Sequence, residues 1–170
     1  LGSVARRMDL LLKKAVVQSR SFDEVEALSS RADDIASVIP AICPISTEPG
    51  TFSYSSSFGY RHDPVYKGRR ENHTGIDLAT YRGNPIYASG DGRVESAEYN
   101  RGYGNCVVIN HGFGYKTRYA HMLESVVLPG TRVRRGDHIG YVGSTGKSTG
   151  NHLHYEVIYR GSPVNPVGYL

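Results

Sequence analysis

Three short segments of this chain concentrate histidine and carboxylate: NHTGID holds His73 and Asp77, RYAHM holds His121, and GNHLHYEV holds His152 and His154. Imidazoles and carboxylates bind first-row metals, and imidazole moves protons near neutral pH. On a strand, residues i and i+2 point the same way, roughly 6.6 Å apart at about 3.3 Å per residue. His152 and His154 can therefore share one small site, one as a ligand and its neighbour just outside the coordination sphere. His73 and Asp77 would stand about 13 Å apart on a straight strand, long for joint chelation at about 2 Å from zinc. Gly75 between them permits a sharp bend that brings the pair together. Two histidines and one aspartate on a tetrahedral zinc leave one position open, which is the arrangement of a catalytic site.

Each segment alone is a weak signal. Strand histidines often only hydrogen-bond, and the helical HExxH signature of zinc proteases is absent. Together, inside one Gly-rich region, the three segments reinforce one another as a metal site. His62, His111 and His138 lie outside them and read as surface or packing residues.

The elements that must position these groups fall into two regions. Residues 1–39 read as a helical hairpin or coiled-coil stub. Val4, Met8, Leu11 and Ala15 form one stripe, and Phe22, Val25, Leu28, Ala32, Ile35 and Ile39 form a second, which Pro40 ends. SFDE places Ser21 three residues ahead of Glu24, a capping box that predicts a helix start and a break near Gln18–Arg20. Such an arm implies a packing role, with a helix-mediated partner or self-association as the more specific reading.

Residues 40–56, rich in Pro, Ser and Thr, read as a linker. Nineteen of the 20 glycines lie at or beyond Gly50. There NPIYASG, GRVESAEY, NCVVINHG, GYKTRYAHM, DHIGYVG and HLHYEVIY alternate between Gly turns. They predict a mainly β domain over residues 57–170, an antiparallel sheet or sandwich.

Composition narrows the classes. With 39% apolar and 21% charged residues, the 170-residue chain reads as soluble and globular. The net charge of +4 divides as −1 over residues 1–49 and +5 over residues 50–170. So small a surplus reads as a solvated surface, and no nucleic-acid partner is expected. No apolar run approaches the roughly 20 residues of a membrane span. The chain opens mid-pattern with LGSVARR, which leaves room for an anchor upstream. Cys43 and Cys106 share no CxxC spacing, so a disulfide and two separate thiols both stay open.

The ordered set FGYRHDP, HTGIDLA, GNPIYASGDGRV, GYGNCVVINHG, YAHM and VRRGDHIGYVGSTGKSTGNHLHYEV resembles the lysostaphin/LytM-type zinc metallopeptidases, from about Ser57 to Pro166. The resemblance implies zinc held by His73, Asp77 and His154, with His121 and His152 assisting the chemistry. It implies hydrolysis of peptide cross-links in bacterial peptidoglycan, and a cross-link of the meso-diaminopimelate type over an oligoglycine bridge. The loops RHDPVYKGRRE and GSTGKST would flank the groove and choose the peptide. Similarity to envelope-anchored Gram-negative members implies a periplasmic place, with an inner-membrane anchor in the full-length protein. Some members have lost ligands and activate other wall hydrolases, so the alternative reading is a silent or autoinhibited adaptor that binds cell wall. Every ligand and both helper histidines are present here, which favours the enzyme.

Overall fold

A computed structural model describes residues 2–48, 50–62, 68 and 70–170. The chain separates into two compact units, Leu1–Ala36 and Ser37–Leu170. The first is helical: α1 runs unbroken over Gly2–Val38. The break expected near Gln18–Arg20 is not there, so the arm is a single helix rather than a hairpin. Between Ser3 and Ile39 the sequence holds neither Gly nor Pro. Ser21 alone costs a helix interior only a few tenths of a kcal/mol, too little to stop it. Met8, Leu11, Phe22, Val25 and Leu28 are exposed along this helix.

The second unit is built from β1 (Phe52–Ser56), β2 (Gly59–His62), β3 (Arg70–His73), β4 (Ile76–Thr80), β5 (Pro85–Tyr87), β6 (Gly92–Asn100), β7 (Gly104–Gly112), β8 (Tyr115–Ser125), β9 (Arg132–Val133), β10 (His138–Val142), β11 (His152–Tyr159) and β12 (Ser162–Val164). Ten of them form one sheet with the path β1-β4-β11-β8-β7-β6-β9, while β10 joins β8 to β5 and β12 lies on β11. Strands β2 and β3 pair separately. Every pairing is antiparallel.

Residues 52–56, expected inside the linker, are strand β1, which pairs with β4. Ile45 sits in the core, and the Tyr87 amide donates to the Pro44 carbonyl at 2.8 Å. A Pro/Ser/Thr-rich composition marks irregular backbone, not the absence of packing: Cys43 and Phe52 also pack against the core, and the Ala41 amide donates to the Ser89 carbonyl at 2.9 Å.

Alternation along the strands sorts side chains between core and site. On β11, Leu153, Tyr155 and Val157 enter the core, so His152, His154 and Glu156 share the opposite face. On β4, Ile76 and Leu78 are core and Asp77 points the other way. Cys43 and Cys106 are both free thiols, and burial pushes Cys106 up to about 11, which makes it inert.

Candidate metal centre

Strand register brings the first two groups together. His154 on β11 stands directly across from Asp77 on β4, and Ala120 of β8 is its partner on the other side. His73 arrives from the end of β3, in the small two-stranded sheet. The chain crosses from that sheet to the large one at Thr74–Gly75. Gly75 is required there by proximity: a Cβ at this position would lie 2.3 Å from the Tyr155 carbonyl oxygen. Its backbone does not take the left-handed form, so close packing, rather than a glycine-only bend, explains this residue.

The three side chains converge. His73 Nε2 lies 3.0 Å from His154 Nδ1 and 3.2 Å from Asp77 Oδ1, and His154 Nδ1 lies 2.8 Å from Asp77 Oδ1. All three residues are buried. Donors bound at about 2.0–2.1 Å to a tetrahedral ion stand roughly 3.3 Å apart, so the observed triangle is close to the size a zinc ion requires.

The outer hydrogen bonds fix which ring atoms are free. His73 donates from Nδ1 to the Ser57 carbonyl at 2.7 Å, leaving Nε2 as the inward lone pair. His154 donates from Nε2 to Glu156 Oε1 at 3.1 Å, leaving Nδ1 inward. Arg61 Nη1 donates to Asp77 Oδ2 at 2.8 Å, leaving Oδ1 inward. Three lone pairs aimed at one another repel, and a divalent cation between them removes the repulsion. The donor set therefore fits a metal.

Without metal a proton takes that role. Burial opposes charge at His154, yet its hydrogen bonds to the accepting carboxylates of Asp77 and Glu156 outweigh it and raise the imidazole. Burial likewise raises Asp77, but its bonds to His154 and His73 hold the carboxyl well below the usual range.

His121 and His152 stand beside the triangle, their ring centroids 4.7 Å apart. His152 Nε2 is 3.8 Å from Asp77 Oδ1, and the His121 ring centroid is 5.9 Å from that of His154. Both are oriented by the loop between β10 and β11. His121 donates from Nδ1 to the Thr145 carbonyl at 2.7 Å, and His152 donates from Nδ1 to the Gly150 carbonyl at 2.8 Å. Each thus presents Nε2. Burial pushes His121 down to about 4, against the pull of the Thr145 carbonyl. The residue sits at a bulge in β8 with φ of 58°, a left-handed backbone that turns its ring toward the site.

The loop itself is seated on the turn before β7. Gly146 takes φ of 73° there, and a Cβ on it would lie 2.3 Å from the Gly104 amide nitrogen. The Lys147 amide donates to the Gly102 carbonyl at 2.9 Å, and the Asn105 amide to Thr145 Oγ1 at 2.9 Å.

A groove runs over the centre, walled by Arg61, Glu71, Asn72, Tyr103 and Lys147. The GSTGKST loop flanks it as expected. Most of RHDPVYKGRRE lies outside the described residues, which include only Arg61, His62, Gly68, Arg70 and Glu71 of it. His62 is exposed and lines the same depression as Asp77, His121 and His152, whereas His111 is buried between the Asp91 carbonyl and Thr117 Oγ1 and His138 donates to the Gly140 carbonyl, both apart from the centre. Sequence reasoning missed Glu156, Arg61 and Tyr103. Glu156 carried a signal, since it continues the i, i+2 face of HLHYE; Arg61 and Tyr103 carried none.

The sequence pattern of peptidase family M23 matches residues 71–166. The chain is 50% identical over 113 residues to the DD-carboxypeptidase/endopeptidase Mpg of Neisseria meningitidis serogroup B, a stretch covering 66% of this chain and 26% of that protein. It is 49% identical over 112 residues to the peptidoglycan DD-endopeptidase ShyA of Vibrio cholerae, covering 65% and 26%. A zinc-containing peptidase from Vibrio cholerae superposes with a TM-score of 0.66 at 40% identity, over 72% of this chain and 37% of that one. The chain thus spans about a quarter of the length of these curated relatives.

Proposed function

The chain belongs to peptidase family M23, and from that premise we propose that it is a zinc-dependent endopeptidase that hydrolyses peptide cross-links of bacterial peptidoglycan. The observation that carries the reading is the triangle of His73, Asp77 and His154, with donor atoms 2.8–3.2 Å apart and two oriented imidazoles alongside. Relatives named peptidoglycan DD-endopeptidases support a bond between D-centres, and the sequence resemblance favours a cross-link of the meso-diaminopimelate type rather than an oligoglycine bridge. They also support a place in the cell envelope.

In this reading His73 Nε2, Asp77 Oδ1 and His154 Nδ1 hold zinc, which supplies Lewis acidity toward water and the peptide carbonyl. His121 and His152 do the proton work. Buried and neutral at pH 7, His121 offers Nε2 as a proton acceptor or as a partner for charge on the carbonyl oxygen. His152, on the same side, shares these roles. Water adds to the carbonyl carbon, the C–N bond breaks, and the proton taken from water ends on the departing amine nitrogen. The carbonyls of Thr145 and Gly150 keep both Nε2 atoms turned to the reaction.

No helix among the described residues is long and apolar enough to cross a membrane. The exposed apolar residues of α1 support a helix-mediated contact, which cross-linking of the full-length protein would register.

Mass analysis of muropeptides with and without a chelator tests the enzyme reading. Shortened bridges released only with metal are expected. Absence of cleavage in both arms, by a folded protein carrying zinc, would favour the adaptor.

A further inference from the structure

Asp77 divides its carboxylate between two tasks. Oδ1 faces His73 and His154, while Oδ2 accepts from Arg61 Nη1 at 2.8 Å. The same guanidinium nitrogen also reaches Ser56 Oγ. Arg61 is gripped in turn: its Nε and Nη2 each lie 2.9 Å from Glu71 Oε1. The other oxygen of Glu71 accepts from Lys147 Nζ at 3.1 Å. Lys147 belongs to the loop whose Thr145 and Gly150 carbonyls orient His121 and His152.

A carboxylate bound by one oxygen can rotate about its last torsion and offer either atom, or both, to a cation. A guanidinium planted on Oδ2 removes that freedom. It is always charged, and its fork-shaped donor array matches a carboxylate in a way an ammonium cannot. Because Glu71 holds two further nitrogens of the fork, the plane of Arg61 is fixed before it meets Asp77.

We propose that Arg61 is a positioning residue that keeps Asp77 single-oxygen toward the metal, and that Glu71 and Lys147 extend this into an ion-pair chain tying the metal site to the loop that aims both helper imidazoles. The proposal rests on the metal reading of His73, Asp77 and His154. It gives the groove wall a role apart from contacting peptide: one chain of charges holds ligands and proton carriers in a common frame.

The test compares wild type with Arg61→Gln, Arg61→Lys and Glu71→Gln. Zinc dissociation constants come from competition with a chromophoric chelator, and kcat and KM from a soluble cross-linked muropeptide. Arg61→Gln is expected to weaken zinc about 10- to 100-fold, the usual loss for an outer partner of a metal ligand. Arg61→Lys, restoring charge without the fork, recovers only part of that. Glu71→Gln loosens zinc less and lowers kcat with KM unchanged. Zinc affinity of Arg61→Gln equal to wild type overturns the assignment. Full rescue by Lys overturns the fork argument, leaving charge alone. If Arg61→Gln does not fold, the Lys and Glu71 variants still decide, since zinc affinity at the wild-type level in both overturns it. A wild type that takes up no zinc defeats the metal reading first, and the proposal with it.

Discussion

His154 and Glu156, two apart on β11, are hydrogen-bonded to each other, Nε2 to Oε1 at 3.1 Å. The carboxylate has no exposed surface and collects Thr74 Oγ1, Tyr103 OH at 2.9 Å and Arg118 Nη1 at 2.6 Å as well. A buried carboxylate so fully satisfied is a rigid support, and it sets which nitrogen of His154 faces Asp77. Glu156→Gln, keeping the shape but able to present its amide instead, is expected to weaken zinc about 10- to 100-fold, read by chelator competition. Unchanged affinity would show that His154 keeps its tautomer without help.

Metal uptake should depend on pH through His154. Its raised imidazole is protonated below a point above 6.5, and a proton on Nδ1 excludes a metal from the same lone pair. Zinc affinity is expected to fall steadily as pH drops from 8 to 5.5. In the metal-free protein the sign for His154 is opposite. The raised His154 contributes stability below 6.5 that is lost as pH rises through its folded value, while depressed Asp77 contributes above 3.8 and loses it on acidification. The gain in melting temperature from added zinc should therefore grow with pH. A gain that shrinks from pH 6 to 8 would contradict this.

His111 gives a pH dependence away from the metal. Burial pushes its imidazole down, against the pull of the Asp91 carbonyl. The unfolded chain then takes up a proton below 6.5 that the folded one refuses, so stability falls on acidification, by at most about 1.4 kcal/mol per pH unit. Urea melts at pH 7.5 and 5.5 should show a smaller loss for His111→Gln than for wild type. Equal losses would place the proton elsewhere.

Gly75→Ala should damage both fold and centre. The added methyl meets the Tyr155 carbonyl oxygen at 2.3 Å and Glu156 Cγ at 2.9 Å, and backbone cannot swing aside as a side chain does. A loss of about 1–3 kcal/mol is expected in a denaturant melt, with weaker zinc because the step from His73 to Asp77 shifts. A variant as stable as wild type would mean that β4 and β11 yield freely.

Replacing ligands and helpers separates binding from turnover. His154→Ala and Asp77→Ala are expected to abolish zinc uptake by elemental analysis. His121→Asn should keep zinc and lose most turnover, asparagine being chosen because it tolerates the left-handed backbone at φ of 58°. Full hydrolysis by that variant would remove His121 from the chemistry.

Much of the architecture was legible because it is local. Six alternating segments from NPIYASG to HLHYEVIY are strands, and the i, i+2 spacing of His152 and His154 holds on β11. What failed was also local, read too literally. SFDE is a capping box only where the chain is not already helical, and α1 passes through it. The segment 40–56 looked unstructured, yet β1 finds β4 more than twenty residues on, a partner its own composition does not announce.

The amino-acid sequence by itself determined the side chains of the centre, the alternation that puts His152, His154 and Glu156 on one face, and the turns between strands. These rest on periodicities of two or three residues, which any segment carries alone. The folded chain decided that Asp77 lies across from His154, that His73 meets His154 over 81 positions, and that Arg61 holds the far oxygen of Asp77. Register and sheet crossing set those meetings, and they depend on burying Leu78, Leu153 and Tyr155 together, a choice made by the whole core at once.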